Sequence, residues 1–340
     1  MSSKIDALMK EINKKQKGEI FVHGMNTYDY PRIPFTSPRM NWCTYGGIPE
    51  GKITEFIGKE HGGKTTSALD IVANYQNLYP DRDILYVDSE NSLDTVWATK
   101  LGVDLSKLYL VTPESQSAET LFEMILETIK TGDLGLWVLD SVGALLSQDE
   151  LDKDMDEKTY AGISKPLTRF GKEVEMLMKK YNCTGLAINQ MRDKIGSTFG
   201  GQTTPGGNAW RHFCMVRLEF SKGQFIDEKC NTLTRGAQNP AGNIVMMSML
   251  KNKTCKPDRR TGQYTLNYNE GINYIKDLMD CALIFNIIDQ RGAWFTILDP
   301  DTGEVIQDKI QGQANLYSLL EENDEILQKV EKLVDNRIQE

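Results

Sequence analysis

The stretch Gly58-Lys59-Glu60-His61-Gly62-Gly63-Lys64-Thr65 constrains this chain more than any other. Its spacing is G-x-x-x-x-G-K-[ST], and it stands between the apolar run "KITEFIG" and a helix-compatible run over 65–78. A strand ends there, glycines let successive backbone N–H groups turn inward, and a helix points its positive dipole end at the same spot. This is a phosphate cradle, in which Lys64 reaches the outer phosphates and the Thr65 hydroxyl meets magnesium. A strand, loop and helix in that order belong to a parallel sheet covered by helices on both faces.

The following segments supply such a sheet. "DILYVDSE", "LGLWVLDSV" and "CTGLAINQ" read as buried strands, separated by the amphipathic helices "AETLFEMILETIKTG", closed by Gly132, and "KEVEMLMKKYN". "FCMVRLEFSKG" and "GNIVMMSMLKNKT" add strands of antiparallel type at the edge. Upstream, Ile5, Leu8, Met9 and Ile12 share one face of a short helix over 3–15, which packs on its own core or on a neighbouring subunit because so short a helix is marginal alone. "KGEIFVHGMN" then reads as extended, and the proline-rich "YPRIPFTSPRMN" as a linker. After "NYNEGINYIKDLMDCALIFN" come helices, a hairpin "GAWFTILDPDTGEVIQ" and the charged helix "NDEILQKVEKLVDNRI". The expected class is α/β with a mostly parallel central sheet, and the expected division is 1–35, 36–270 and a small α+β C-terminal domain over 271–340.

Composition narrows the function. No apolar run reaches the roughly 18 residues of a membrane span, and the N-terminus lacks a signal-peptide core. The expectation is a soluble, cytoplasmic protein without a membrane partner. The six cysteines contain no C-x-x-C pair and the three histidines are dispersed, which points to free thiols and no histidine-cysteine metal site. The net charge of −9 weighs against nucleic acid. The acids, however, crowd into "DELDKDMDEK" and the C-terminal end, while Lys165, Arg169, Lys172, Lys179, Lys180, Arg192 and Lys194 make the middle locally basic.

Three strand ends carry chemistry. Asp140 closes "LGLWVLD" and can hold the water shell of magnesium. Asp88 and Glu90 follow "DILYV"; Glu90 is the candidate to polarise an attacking water, though an acid here can equally cap a helix. Asn189 and Gln190 end "CTGLAINQ", where an amide can sense the third phosphate and pass its presence to the loop behind. That loop holds Gly196, Gly200, Gly201, Gly206 and Gly207, is basic at Arg192 and Lys194, and offers Ile195 and Phe199 as wedges between bases. By composition alone it is also compatible with an ordinary surface loop.

"GKEHGGKTT", "YVDSENSLD", "KLGVDLSKLY", "VLDSVGALL", "INQMRDKIGSTFGGQTTPGGNAW", "MVRLEF", "LKNKTCKP", "NEGIN" and "GAWF" occur in the order and spacing of the bacterial RecA recombinases, and from about residue 36 onward the chain resembles that family. The resemblance implies a RecA-type P-loop ATPase fold with an N-terminal oligomerisation helix. It implies a DNA-dependent ATPase that forms a head-to-tail helical filament on single-stranded DNA and pairs it with homologous double-stranded DNA, using ATP and Mg2+. Gly58, Lys59, Glu60, His61, Gly62, Gly63, Lys64, Thr65 and Thr66 would bind phosphates, and Asp94, Trp97 and Tyr268 the adenine. Thr65 and Asp140 would serve the metal. Glu90 would be the catalytic carboxylate and Gln190 the γ-phosphate sensor, with Lys251 and Lys253 reaching the neighbouring subunit's ATP.

Two loops, over about 148–162 and 191–207, would hold DNA, through Arg192, Lys194, Ile195, Gly196, Gly206, Gly207 and Asn208, with Arg169 near the first. The chain departs from the family pattern in its acidic first loop, at Lys165 and Pro166, at Asp193 and at His212, departures that suggest a divergent, viral branch and bear on DNA affinity and interface strength. A hexameric DNA motor and a partner-regulated ATPase without strand exchange are the competing expectations.

Overall fold

The computed structural model describes residues 3–16, 30–154, 162–193, 202–234 and 236–340, apart from the side chains of Asp193 and Gln202. The extended segment expected over 17–26, most of the second half of the first loop, and Lys194, Ile195 and Gly196 lie outside the described residues. The chain divides into two compact units, Met1–Pro31 and Arg32–Glu340. In the first, α1 (Lys4–Gln16) forms where the apolar spacing predicts it. Its start is capped reciprocally: Asp6 N donates to Ser3 Oγ, and Ser3 N donates to Asp6 Oδ2. Ile5 and Leu8 stay exposed on it.

The second unit opens with β1 (Arg32–Ile33), α2 (Pro38–Thr44) and β2 (Ile48–Pro49). This corrects the expectation of a linker. β1 pairs with β2, and Ile33, Phe35 and Met40 are buried in the core. The prolines start elements here instead of preventing them, since Pro38 enters the first turn of α2, where no N–H is needed. There follow β3 (Ile53–Gly58), α3 (Lys64–Leu78), β4 (Asp83–Asp88), α4 (Thr95–Lys100), β5 (Leu108–Val111), α5 (Ala118–Lys130), β6 (Leu134–Asp140), α6 (Gln148–Leu151), α7 (Ser164–Tyr181) and β7 (Thr184–Gln190). A short antiparallel ribbon of β8 (Arg192–Asp193) and β9 (Gln202–Thr203) leads into α8 (Gly207–Phe213), β10 (Cys214–Ile226), β11 (Gly242–Asn252), β12 (Thr261–Asn267) and β13 (Gly271–Ile272).

Nine strands make one sheet in the order β13-β12-β11-β10-β3-β7-β6-β4-β5. The run from β10 to β5 is parallel, and β11 to β13 extend it antiparallel. Only β11 and its outer neighbours fit the antiparallel edge expected from sequence; β10 is an interior strand with a parallel partner on one side. β5 and β12 fall in segments where the sequence pattern predicts no strand. In β5 the alternation is weak because Tyr109 and Leu110 are exposed at the sheet edge.

Helices cover both faces, so β6 is buried at every position. One face packs Leu69, Val72, Tyr86, Val138 and Phe220. The other packs Phe122, Trp137, Phe170 and Trp210, with the Phe122 and Phe170 rings stacked at 4.4 Å. A third cluster, including Leu278, Phe295, Ile297, Leu316 and Val330, lies among α9 (Tyr274–Ile284), β14 (Ile288–Arg291), β15 (Trp294–Leu298), β16 (Val305–Gln311), α10 (Gln313–Glu322) and α11 (Asp324–Gln339). Trp42 packs against both the first cluster and this one.

Candidate functional site

The loop between β3 and α3 sits at the carboxyl end of the parallel strands, where open α/β sheets place their ligands. Gly58 has φ 150°, and a Cβ there would lie 2.2 Å from the Phe220 carbonyl oxygen, so the loop leaves the sheet through a position only glycine fills. Gly63 is the N-cap of α3, so the loop ends where the helix N–H groups begin. A cavity of about 580 Å³ opens over this end, lined by His61, Gly62, Gly63, Lys64, Thr65 and Thr66 from the loop and helix, and by Trp97, Lys222, Asn243, Val245, Leu266 and Tyr268 from around it. Lys64 is largely buried, and its ammonium donates to the Lys59 carbonyl at 2.7 Å. Burial lowers its pKa, against the pull of Asp140, Glu90 and Glu60.

Asp140 stands at the tip of β6, and its Oδ2 accepts from Thr65 Oγ1 and Tyr86 Oη, each at 2.9 Å. Burial pushes its carboxyl up to about 6, opposed by those two hydroxyls. A carboxylate that hydrogen-bonds only hydroxyls, with the Lys64 ammonium near but not bonded to it, is suited to a divalent ion beside phosphate. Among the described residues no group of three or more His, Cys, Asp and Glu could hold a metal. That donor set fits magnesium carried mainly by phosphate and water, with Thr65 and Asp140 as the protein's share.

Of the two acids, Asp88 takes the capping role left open for both. Asp88 accepts from the backbone N–H groups of Glu90, Ser92 and Leu93, so it caps the turn. Glu90 is exposed, and its Oε1 accepts from Ser141 Oγ at 2.5 Å and from Gln190 Nε2 at 2.8 Å. The structure thus brings together the two residues singled out at the ends of β4 and β7. Trp97 and Tyr268 line the cavity; the Trp97 indole donates to Thr66 Oγ1 at 3.4 Å and the Tyr268 hydroxyl to Asn243 Oδ1 at 2.8 Å. Asp94 is the N-cap of α4, accepting from Val96 N and Trp97 N, which orients Trp97.

Other expected residues lie elsewhere. The Lys251 ammonium donates to the carbonyls of Arg211, His212 and Cys214, at the C-terminal end of α8. Lys253 follows at the end of β11, its backbone N–H donating to Met215 O. Arg192 donates to the Gly143 carbonyl at 2.7 Å, tying β8 to the segment after β6. Gly206 and Gly207 begin α8, and Asn208 is exposed on its first turn. Arg169 is paired with Glu173 on α7, beside Glu119 and Glu123 of α5, so its surroundings are acidic.

Sequence reasoning missed Lys222, Asn243, Val245, Leu266 and Ser141. Ser141 was legible as the residue after Asp140. Lys222 and Asn243 carried no signal, because they reach the cavity only through the pairing of β10 with β3 and β11. The Lys222 ammonium lies 4.3 Å from the centre of the Phe225 ring and 5.9 Å from that of Tyr268.

The family model described as RecA N-terminal domain matches residues 3–273. The chain is similar to Protein RecA of Fusobacterium nucleatum, with 32% identity over 288 residues that cover 84% of this chain and 71% of that protein. It is similar to Protein RecA of Clostridioides difficile at 32% over 291 residues, 85% of this chain and 78% of the relative. With Protein RecA of Malacoplasma penetrans it shares 31% over 336 residues, 98% of this chain and 96% of the relative. A phosphate-cradle loop between β3 and α3, and these similarities along most of the length, agree: the chain belongs to the RecA family.

Proposed function

We propose that this chain is a DNA-dependent ATPase that assembles head to tail into a helical filament on single-stranded DNA and promotes homologous pairing and strand exchange in recombination and repair. The observation that carries this is the Gln190–Glu90 hydrogen bond. It joins the carboxylate placed for hydrolysis to the strand end that runs directly into the glycine-rich loop, so the occupancy of one site bears on the other.

The loop from Gly58 to Thr66 wraps the phosphates of ATP, and Lys64 exchanges its bond to the Lys59 carbonyl for the outer phosphates. Thr65 and Asp140 are the residues that would hold magnesium, which would neutralise charge on the phosphate oxygens. Trp97 and Tyr268 take the base between flat faces. Glu90 Oε1 is committed to Ser141 and Gln190, which leaves Oε2 to take the proton of the attacking water as the bond to the β–γ bridging oxygen breaks. Gln190 has one amide to share between Glu90 and the γ-phosphate, which makes it a sensor.

Lys251 and Lys253 serve the ATP of the adjacent subunit, for which Lys251 must release its carbonyls on α8. The exposed Ile5 and Leu8 on α1, and Tyr109 and Leu110 on the edge strand β5, give two different apolar patches. Contact between unlike patches repeats into an open helix, not a closed ring. Arg192, Lys194, Ile195 and Gly196, with Gly206, Gly207 and Asn208, grip the sugar-phosphate of DNA and leave the bases to find homology by pairing; Arg169 is a weaker contributor because Glu173 holds it. The protein acts in the cytoplasm; among the described residues no helix is long and apolar enough to cross a membrane.

The test is ATP hydrolysis with and without single-stranded DNA, with Lys64→Ala as control. Strong stimulation that disappears in the variant is expected. Hydrolysis indifferent to DNA would sink the proposal and favour a partner-regulated ATPase.

A further inference from the structure

Glu55 is a carboxylate with no place in hydrolysis, and it is fully buried in β3, on the strand that leads into the phosphate loop. Three side chains from three other elements converge on it. Asn189 Nδ2 from β7 and Trp210 Nε1 from α8 donate to Oε1 at 2.9 and 3.0 Å, and Arg217 Nε from β10 donates to Oε2 at 2.6 Å. Two of these partners reach further. Asn189 Nδ2 also donates to the Pro205 carbonyl, while Asn189 Oδ1 accepts from the backbone N–H of Gln190. Arg217 also donates to Thr204 Oγ1. The segment 204–205 immediately precedes Gly206, which has φ 96° and where a Cβ would stand 2.5 Å from Leu167. The start of α8 is therefore packed closely on Leu167 of α7, and Thr204 and Pro205 just before it are tied through Arg217 and Asn189 to Glu55.

We propose that Glu55 is the positioning residue that couples the sensor to the DNA-facing segment: through Asn189 and Arg217 it fixes Pro205 and the start of α8 relative to Gln190. This rests on the recombinase reading above and names the part of the chain that carries its coupling. Asn189 and Gln190 are successive residues of a strand, so their side chains leave opposite faces of the sheet. A displacement of Gln190 on the nucleotide face therefore moves Asn189 on the other, where one amide holds both Glu55 and Pro205. Glu55 does not touch the nucleotide cavity, so its loss should uncouple without disabling.

The test uses the full chain, ATP and poly(dT). Glu55→Gln keeps the shape, but its amide nitrogen must face one of the three donors. The double variant Glu55→Gln with Arg217→Met removes both charges together, a change that buried pairs often tolerate in stability. Trp210→Phe removes a single donor and leaves the charges intact.

The expected result is that DNA stimulation of hydrolysis falls about 10-fold in Glu55→Gln and in the double variant, and about 3-fold in Trp210→Phe. The KM for ATP without DNA should stay at the wild-type value in Glu55→Gln and Trp210→Phe, and the double variant should melt near the wild-type temperature. A purely structural role predicts instead that coupling returns with stability in the double variant. Wild-type stimulation in every variant that folds would overturn the proposal. A wild-type chain that DNA does not stimulate would overturn the recombinase reading as well, and so distinguishes the two failures.

Discussion

Two clusters of polar and charged side chains meet β7 on opposite faces, at positions one residue apart in sequence. On the nucleotide face Asp140 has only hydroxyl partners, Lys64 leans on a backbone carbonyl, and Glu90 and Gln190 hold each other. On the other face Glu55 has a guanidinium, an amide and an indole N–H, which fill both of its oxygens. The first cluster consists of bonds that a ligand can replace at little loss. The second is a closed set, in which removing one member strands the others in low dielectric. A site built for exchange and a site built for position thus use the same residue types, and what separates them is whether the cation bonds the carboxylate directly, as Arg217 does Glu55 and Lys64 does not Asp140.

The comparison can be broken most directly at Glu90. Glu90→Gln keeps the bond to Gln190 within reach but removes the base, so hydrolysis should drop by about 100-fold while nucleotide binding persists. A variant that hydrolyses ATP at the wild-type rate in a single-turnover assay would remove Glu90 from the chemistry. In the other cluster, Glu55→Ala should cost about 3 kcal/mol of stability by urea unfolding, because Arg217 is left buried without its carboxylate. A loss below about 1 kcal/mol would mean that water compensates the guanidinium and the set is not closed.

Asp140→Asn should act in the opposite direction. Burial raises its carboxyl to about 6, so above that pH the ionised form costs stability and the variant should melt higher than the wild type. The same variant should bind nucleotide less dependently on magnesium.

The same sign is expected at Asp277, a third buried carboxylate, which lies away from the nucleotide cavity. Its Oδ1 accepts from Thr265 N, its Oδ2 has no hydrogen-bond partner, and burial raises its pKa to about 7. A raised folded pKa stabilises below the unfolded value and loses that contribution as pH climbs through the folded one. Asp277→Asn should therefore melt about 2 °C or more above the wild type at pH 8, with the gap narrowing as pH falls below about 7 and closing only near pH 4, the ordinary value for an aspartate. A constant gap across that range would show that the carboxyl does not titrate there.

Much of the nucleotide side is legible in the sequence. The cradle from Gly58 to Thr65 is contiguous, and Asp140, Glu90 and Gln190 each end an apolar run, so local pattern locates them. The same pattern fails where neighbours are supplied by pairing across the sheet. "YPRIPFTSPRMN" reads as a linker because its prolines are local, whereas the contacts that bury Ile33, Phe35 and Met40 are not. Lys251 reads as a cation for the next subunit, and within its own chain it holds the end of α8. Glu55 carries no signal, since a single acid in "KITEFIG" resembles an edge-facing residue of a strand.

The sequence alone determined the core β–α alternation around the phosphate loop, the loop itself and the strand-end residues, because these follow from glycine conformation, hydrophobic period and helix dipole over a few neighbouring positions; β1, α2, β5 and β12 it did not. Only the tertiary structure decided which acid caps and which is left exposed beside Ser141 and Gln190, and which buried charge is paired. The partners of Glu55 come from residues 189, 210 and 217, more than a hundred positions away. A carboxylate's role depends on the donors within hydrogen-bond reach, and in a parallel sheet those arrive by crossover from distant segments.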